Sequence, residues 1–146
     1  MIFIAHRGNT VGPNPKRENR MDHILDALNQ GFNVEIDVWY KNKQWWLGHD
    51  EPKYKTGISI FSNPKVWIHA KNSTALKKLN EHLIYNFFWQ EDDDYTLTSR
   101  THIWCHVGAK LIPHSICVLP EISVNGDIKK CSGICSDFVK RYAAHL

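Results

Sequence analysis

The segment VEIDVW, residues 34–39, constrains the fold of this chain more than any other part of the sequence. In a strand, alternate side chains share a face, so Glu35 and Asp37 lie together while the aliphatic residues around them face the other way. A helical pattern precedes the segment, which favours a parallel strand covered on both faces. Two buried carboxylates repel each other and are costly to desolvate. A divalent cation held between them, Mg²⁺ or Ca²⁺, relieves both costs. The alternative is a half-exposed edge strand whose polar face is solvated.

Short runs rich in β-branched and aromatic residues predict the other strands. They are FIA (3–5), FNVEIDVWY (32–40), KVWIHA (65–70), LIYNFFW (83–89), THIWCHV (101–107) and SICVLPEI (115–122). The run QWWLGHD (44–50) predicts a hairpin partner for VEIDVWY across the turn KNKQ.

Apolar residues at helical spacing predict three helices. The first helix ends at Gly31 and contains Met21, Ile24, Leu25 and Leu28. The second helix is capped by Asn72 or Ser73, and its apolar face consists of Ala75, Leu76, Leu79 and Leu83. The third helix covers SDFVKRYAAHL.

The order strand, helix, strand, helix at the start of the chain predicts parallel βα units and an α/β fold. The later strands follow one another with little room for helices. A full (β/α)8 barrel takes about 250 residues, whereas this chain has 146. We therefore expect a single domain, residues 1–146, built as a truncated TIM-type (β/α) barrel with several helices reduced or missing.

Composition excludes several classes of function. The net charge of +3 comes without a basic run, which argues against nucleic-acid binding, and no apolar run reaches the ~20 residues of a membrane span. The sequence shows no export signal, which predicts a soluble, cytoplasmic protein. The four cysteines lack CxxC spacing and are expected to be free thiols. The acidic run QEDDDY, 90–95, predicts a solvated turn.

Chemically active side chains recur where the predicted strands end. His6 and Arg7 follow the first strand, His49 follows QWWLG, and His69 and Lys71 share one face at the end of KVWIHAK. In α/β barrels and open sheets this edge carries the functional site. Guanidinium and ammonium groups bind phosphate, and two imidazoles can serve as acid and base. Together with the carboxylate pair, they indicate phosphodiester chemistry.

The motifs IAHRGN, EN at 18–19, VEIDV and GHD, with a strand ending in Lys71, resemble those of the glycerophosphodiester phosphodiesterase family. That family belongs to the phospholipase-C-like phosphodiesterase superfamily and has a TIM barrel. The segment GICSDF (133–138) resembles the final strand of such barrels. The resemblance implies a metal-dependent hydrolase of lipid metabolism that cleaves a small-molecule glycerophosphodiester by His/His acid–base catalysis, with a cyclic phosphate as a conceivable intermediate.

The resemblance also implies roles for individual residues. The catalytic set is His6, His49 and Arg7; the substrate-binding set is Arg7, Lys71 and, in the partial match PKRENR, Glu18; the metal ligands are Glu35, Asp37 and His69. The family has a carboxylate at the position of His69. An imidazole there shifts the expected metal from Mg²⁺ or Ca²⁺ toward Mn²⁺ or Zn²⁺.

The family's long insertion after the HD motif is nearly absent here, which leaves one side of the pocket open. Trp39 and Trp104 are candidate pocket walls, or else core residues. Two other functions remain open: a non-catalytic phosphate- or sugar-phosphate-binding domain, and a lyase that releases the cyclic phosphate. The sequence does not order the two histidines as acid and base.

Overall fold

The computed structural model describes all 146 residues as a mixed α/β structure in which a curled ten-stranded sheet carries three helices. The strands are β1 Ile2–His6, β2 Asn33–Lys41, β3 Gln44–Leu47, β4 Tyr54–Thr56, β5 Val66–Ala70, β6 Phe87–Phe88, β7 Tyr95–Leu97, β8 Ile103–Cys105, β9 Ile116–Val118 and β10 Gly133–Ser136. The helices are α1 Met21–Asn29, α2 Ser73–Leu79 and α3 Val139–His145.

Seven strands run parallel, in the order β6, β5, β2, β1, β10, β9, β8. Two antiparallel additions extend this set: β3 and β4 continue from the far end of β2, and β7 pairs with β8. The parallel βα units expected from the sequence are therefore confirmed. The hairpin across KNKQ is also confirmed, with Asn42 and Lys43 both at positive φ, as a tight two-residue hairpin turn requires.

The two faces of the sheet bury different cores. On the convex face, Val34, Ile36 and Val38 of β2 pack in one cluster with Ile24 of α1 and Leu79 of α2. This is the alternation that VEIDVW predicts, because the carboxylates between these residues face the other way.

On the concave face a second cluster draws side chains from β1, β5, β6, β8, β9 and β10. Its members are Ile4, Trp67, Phe88, Trp104, Ile116, Val118 and Cys135. The rings of Phe88 and Trp104 lie 4.5 Å apart between centroids, so β6 and β8, the two outer strands of the parallel set, meet across the interior. The curled sheet is thus a half-barrel with a filled interior.

Several element predictions were wrong in extent. The apolar run 83–89 contributes only Phe87–Phe88 to the sheet, and α2 ends at Leu79 rather than continuing to Leu83, whose side chain is exposed. Asn80 ends the helix, and residues 81–84 form an exposed turn, so the helical spacing of Leu83 is accidental. Strands β4 and β7 were not predicted, because each has only three residues and little hydrophobic alternation.

All four cysteines are free and buried, as expected. Burial raises the pKa of Cys105 to about 11 and the pKa of Cys117 to about 12. None of the three helices has the length and apolar character needed to cross a membrane.

Candidate functional site

A cleft of about 270 Å³ opens at the carboxyl ends of the parallel strands. Eight of the ten side chains predicted from the sequence line it: His6, Arg7, Glu35, Asp37, His49, His69, Lys71 and Trp104. The remainder of the wall comes from Gln90, Glu91, Asp92, His106, Val107, Val118 and Leu119. These residues lie in or just after β1, β2, β3, β5, β6, β8 and β9, so nearly every strand of the parallel set contributes to one site.

The carboxylates of β2 form the floor of the cleft. Glu35 and Asp37 are 2% and 1% exposed, yet both face the cleft from the concave side of the sheet. One oxygen of each carboxylate accepts a hydrogen bond from a neighbouring residue. The backbone N–H of Arg7 donates to Glu35 Oε2 at 3.2 Å, and the Asn19 side-chain amide donates to Asp37 Oδ2 at 2.8 Å. Asn19 Oδ1 also accepts from the Asp37 backbone N–H, so Asp37 is held at both ends.

The second oxygens of the two carboxylates converge with an imidazole. Glu35, Asp37 and His69 offer one ligand atom each, and the three atoms lie within 4.8 Å of one another. His69 Nδ1 lies 3.2 Å from Asp37 Oδ1, but Asp37 Oδ1 is buried and has no hydrogen-bond partner. An orphaned buried carboxylate oxygen beside two further donor atoms fits a divalent cation. This group could therefore bind a metal ion.

The two carboxyl groups have opposite electrostatic environments. Burial is the main cause that raises the pKa of Glu35 above its ordinary value, and the negative charge of Asp37 raises it further. For Asp37, burial alone would raise the pKa, but His69, Arg7 and the Asn19 amide outweigh it and hold the pKa well below its usual range. Positive and hydrogen-bonding neighbours therefore favour the ionised form of Asp37, whereas burial beside Asp37 disfavours the ionised form of Glu35.

His6 is paired with an aspartate from the last strand. His6 Nδ1 lies 2.8 Å from Asp137 Oδ1, and both side chains are largely buried. An ionised carboxylate only accepts, so Nδ1 donates and Nε2 is the ring nitrogen left for the cleft. Burial lowers the pKa of His6, but the bond to Asp137 and the negative charge of Glu35 outweigh burial and raise it. Burial would raise the pKa of Asp137, and His6 lowers it below its ordinary value.

His49 lies at the rim of the cleft and is more open to solvent than His6. Its Nδ1 lies 2.7 Å from Asp50 Oδ1, in a pair whose histidine side chain is 40% exposed. The turn before it requires glycine, because a Cβ at Gly48 would lie 2.2 Å from the backbone oxygen of Glu51. The GHD motif is therefore a tight turn that carries an imidazole to the rim.

Arg7 connects the carboxylates to the mouth of the cleft. Its backbone adopts a positive φ of 52°, and its Nη1 donates to Glu18 Oε2 at 3.2 Å. Its Nε lies 3.3 Å from Asp37 Oδ2. Burial lowers the pKa of Arg7, but Asp37 and Glu35 outweigh it, so this guanidinium stays charged. Lys71 adds a second cation, with Nζ 4.0 Å from Asp37 Oδ1.

Two predicted substrate-binding residues lie outside the cleft. The indole N–H of Trp39 donates to the backbone oxygen of Gly48 at 2.6 Å, and its ring borders a separate cavity beside Tyr40, which corrects its prediction as a pocket wall. Glu18 binds Arg7 and borders an adjoining polar cavity. Trp104 does line the cleft, although it is only 3% exposed and belongs mainly to the interior cluster.

Sequence reasoning missed the amides and the aspartate that orient the site. Asn9 is fully buried and donates to both Glu18 and Asp137, at 3.0 and 2.8 Å. Asn19 and Asp137 lie in the segments EN (18–19) and GICSDF (133–138), but nothing in those segments indicates which side chains they bind. The acidic run 90–95 is exposed from Glu91 onward, as predicted, but Gln90, Glu91 and Asp92 also line the cleft.

No protein-family model matches the chain, and neither a curated protein nor a solved structure matches it. The case for a function therefore depends on the site alone.

Proposed function

We propose that this protein is a metal-dependent phosphodiesterase that cleaves a glycerophosphodiester-type P–O bond in a small-molecule substrate. The observation that carries the proposal is the meeting of two imidazoles, His6 and His49, with a guanidinium, an ammonium and a buried metal-ligand group in one cleft. A domain that only binds phosphate has no need for two proton-transfer groups.

In this scheme Glu35, Asp37 and His69 hold a divalent cation. The cation, when bound, stabilises negative charge on the phosphoryl oxygens. Arg7 and Lys71 orient the phosphate of the substrate, because their positively charged side chains, which follow β1 and β5, both line the cleft.

The two histidines carry the protons. One removes the proton of the attacking hydroxyl, and the other protonates the leaving alkoxide; each transfer contributes about 10²–10⁴-fold. Asp137 fixes the orientation of His6 and stabilises its protonated form. If the attacking hydroxyl belongs to the substrate, a cyclic phosphate forms, and water then opens it.

The same proposal extends to the fold. Seven parallel strands around a filled interior, with the cleft at their carboxyl ends, support a shortened TIM-type barrel that has lost most of its outer helices.

Phosphorus NMR tests the activity directly. The protein is incubated with a panel of glycerophosphodiesters, with Mg²⁺, Ca²⁺, Mn²⁺ or Zn²⁺ and with a chelator. We expect a monoester or cyclic-phosphate signal that requires a divalent cation and is lost in His6→Ala. His145→Ala, a histidine exposed on α3, is the matched control and should behave as the native protein does.

The products separate the alternatives. A cyclic phosphate that accumulates without opening would make the protein a lyase. An unchanged spectrum with every cation, together with binding of inorganic phosphate by calorimetry, would replace the proposal with a phosphate-binding domain.

A further inference from the structure

We propose that the metal group is a nitrogen-ligated site that selects a first-row transition ion, with Zn²⁺ bound more tightly than Mn²⁺ and Mn²⁺ more tightly than Mg²⁺ or Ca²⁺. The ligand atom from His69 is Nδ1. The inference rests on the proposed function for the catalytic use of the ion, whereas the selectivity itself is measurable without any substrate.

The surroundings of His69 leave Nδ1 free to be a ligand. Nε2 lies 3.0 Å from the backbone oxygen of Gln90, and a carbonyl oxygen only accepts, so Nε2 carries the ring proton. Nδ1 faces the carboxylates, 3.2 Å from Asp37 Oδ1 and 3.9 Å from Glu35 Oε1. A metal ion bound there takes the place of any proton on Nδ1, because a histidine ligand must be deprotonated at the nitrogen that binds the ion. A hydrogen bond from the distal nitrogen to a backbone carbonyl is the usual support of a metal-bound histidine.

The ring is also fixed in its plane. His69 stacks on Phe88 with centroids 4.9 Å apart and an interplanar angle of 13°. The Gln90 bond and this stacking together prevent the ring from flipping to present Nε2. An imidazole held this way is a preorganised ligand for ions that favour nitrogen donors.

Each carboxylate has only one oxygen left for a cation. Glu35 Oε2 accepts from the Arg7 backbone and Asp37 Oδ2 accepts from Asn19. The remaining Glu35 Oε1 and Asp37 Oδ1 make the donor set two oxygens and one nitrogen. Ca²⁺ takes six to eight oxygens and Mg²⁺ favours an all-oxygen octahedron. Three protein ligands that include an imidazole are typical of catalytic zinc sites.

The native protein, freed of metal with a chelator, is the first test. Calorimetric titration should give a dissociation constant at least about 100-fold lower for Zn²⁺ than for Mg²⁺. Pulsed electron paramagnetic resonance of the Mn²⁺-loaded protein should show nitrogen coupling from one imidazole. Equal affinities for Zn²⁺ and Mg²⁺, no binding of Zn²⁺, or a Mn²⁺ spectrum without nitrogen coupling would each overturn the inference.

The variant His69→Glu supplies an oxygen in place of nitrogen and should reverse the order. Zn²⁺ affinity is expected to fall by about 10- to 100-fold and Mg²⁺ affinity to rise. His106→Gln, which removes another imidazole from the same cleft, is the matched control and should leave both affinities unchanged. Circular dichroism of each variant checks that it is folded.

These measurements involve no diester. If nitrogen-ligated Zn²⁺ binds but no diester is cleaved, the metal inference holds and the proposed function fails. If diesters are cleaved with an oxygen-ligated Mg²⁺, the function holds and the metal inference fails.

Discussion

The two halves of the parallel strand set are covered on the outside by different kinds of structure. In what we call the helix-covered half, β1, β2, β5 and β6, helices α1 and α2 pack on the convex face, and β2 is nine residues long. In the loop-covered half, β8, β9 and β10, the strands have three or four residues. Loops with one 3-10 turn, Ile128–Lys130, cover β8 and β9, and the helix α3 packs on β10 and on the neighbouring β1.

The halves differ in chemistry as well. The helix-covered half supplies every predicted metal ligand, His6 and both cationic side chains, and the β3 hairpin beside it supplies His49. The loop-covered half supplies only wall residues: Trp104, His106, Val107, Val118 and Leu119. Buried charges must be held in fixed positions, and long, well-packed strands hold them. The loop-covered half mainly forms the wall of the cleft. Its charged contribution is Asp137, which follows β10 and binds His6.

The largest expected effect is on catalysis in the helix-covered half. His6→Ala removes one of the two proposed proton-transfer groups and leaves His49 alone, so diester cleavage should fall by about 10³-fold or more. The measurement is the initial rate by phosphorus NMR beside the His145→Ala control. A rate above a tenth of the native value would remove His6 from the mechanism.

A pair of truncations compares the support of the two halves. Leu79→Ala removes most of a fully buried side chain at the end of α2, where the helix packs on the sheet. It should lower the free energy of unfolding by about 2–5 kcal/mol. Ile128→Ala removes a partly buried side chain from the loop cover and should cost about 1 kcal/mol or less. Urea unfolding of both variants measures the difference; equal losses would show that the loop cover is as important as the helix.

Asp137→Asn tests the one charged contact that crosses between the halves. The amide keeps the shape but no longer stabilises a protonated His6, so we expect a loss in rate of about 10²-fold. Loss of the carboxylate also lowers the pKa of His6, and the histidine-dependent limb of the pH–rate profile should move to lower pH.

Zn²⁺ affinity should not change in this variant, because Asp137 belongs to no ligand set. An unchanged pH profile would contradict the positioning role of Asp137.

The smallest effect belongs to the thiols, all of which lie in the loop-covered half. Burial raises the pKa of Cys117 to about 12, whereas an unfolded thiol ionises near 8.5. Between these values the unfolded state has lost a proton that the folded state retains, so stability falls as pH rises.

Cys117→Ala should reduce the loss of unfolding free energy between pH 7.5 and 9.5 by about 1 kcal/mol. Denaturant unfolding at both pH values gives the comparison. An identical pH dependence in native and variant proteins would show that Cys117 does not contribute.

Local patterns predicted the helix-covered half well. The alternation in VEIDVW determines which side of β2 carries the carboxylates, and the hairpin turn at KNKQ is encoded by four adjacent residues. Both depend on neighbours in sequence, so a single chain suffices to read them. The meeting of His6, Glu35 and His69 in one cleft followed from the rule that parallel strands end at one edge.

Contacts between distant segments escaped prediction. Trp39 shares the alternation of Asp37, but at Trp39 the strand pairs with β3, and its indole turns to Gly48 instead of the cleft. Asp137 and Asn9 lie 128 positions apart and bond through side chains. Nothing in the local sequence of either one specifies that partner.

The bond between His6 and Asp137 joins positions 131 residues apart, on the first strand and just after the last. During synthesis Asp137 emerges 131 residues after His6, so the histidine is without its partner while the chain between them is made. The parallel pairing of β1 with β10 must form before the two side chains can meet. The proposed diester cleavage therefore requires β10 to be paired with β1, and a refolding assay that follows cleavage would show when this pairing is complete.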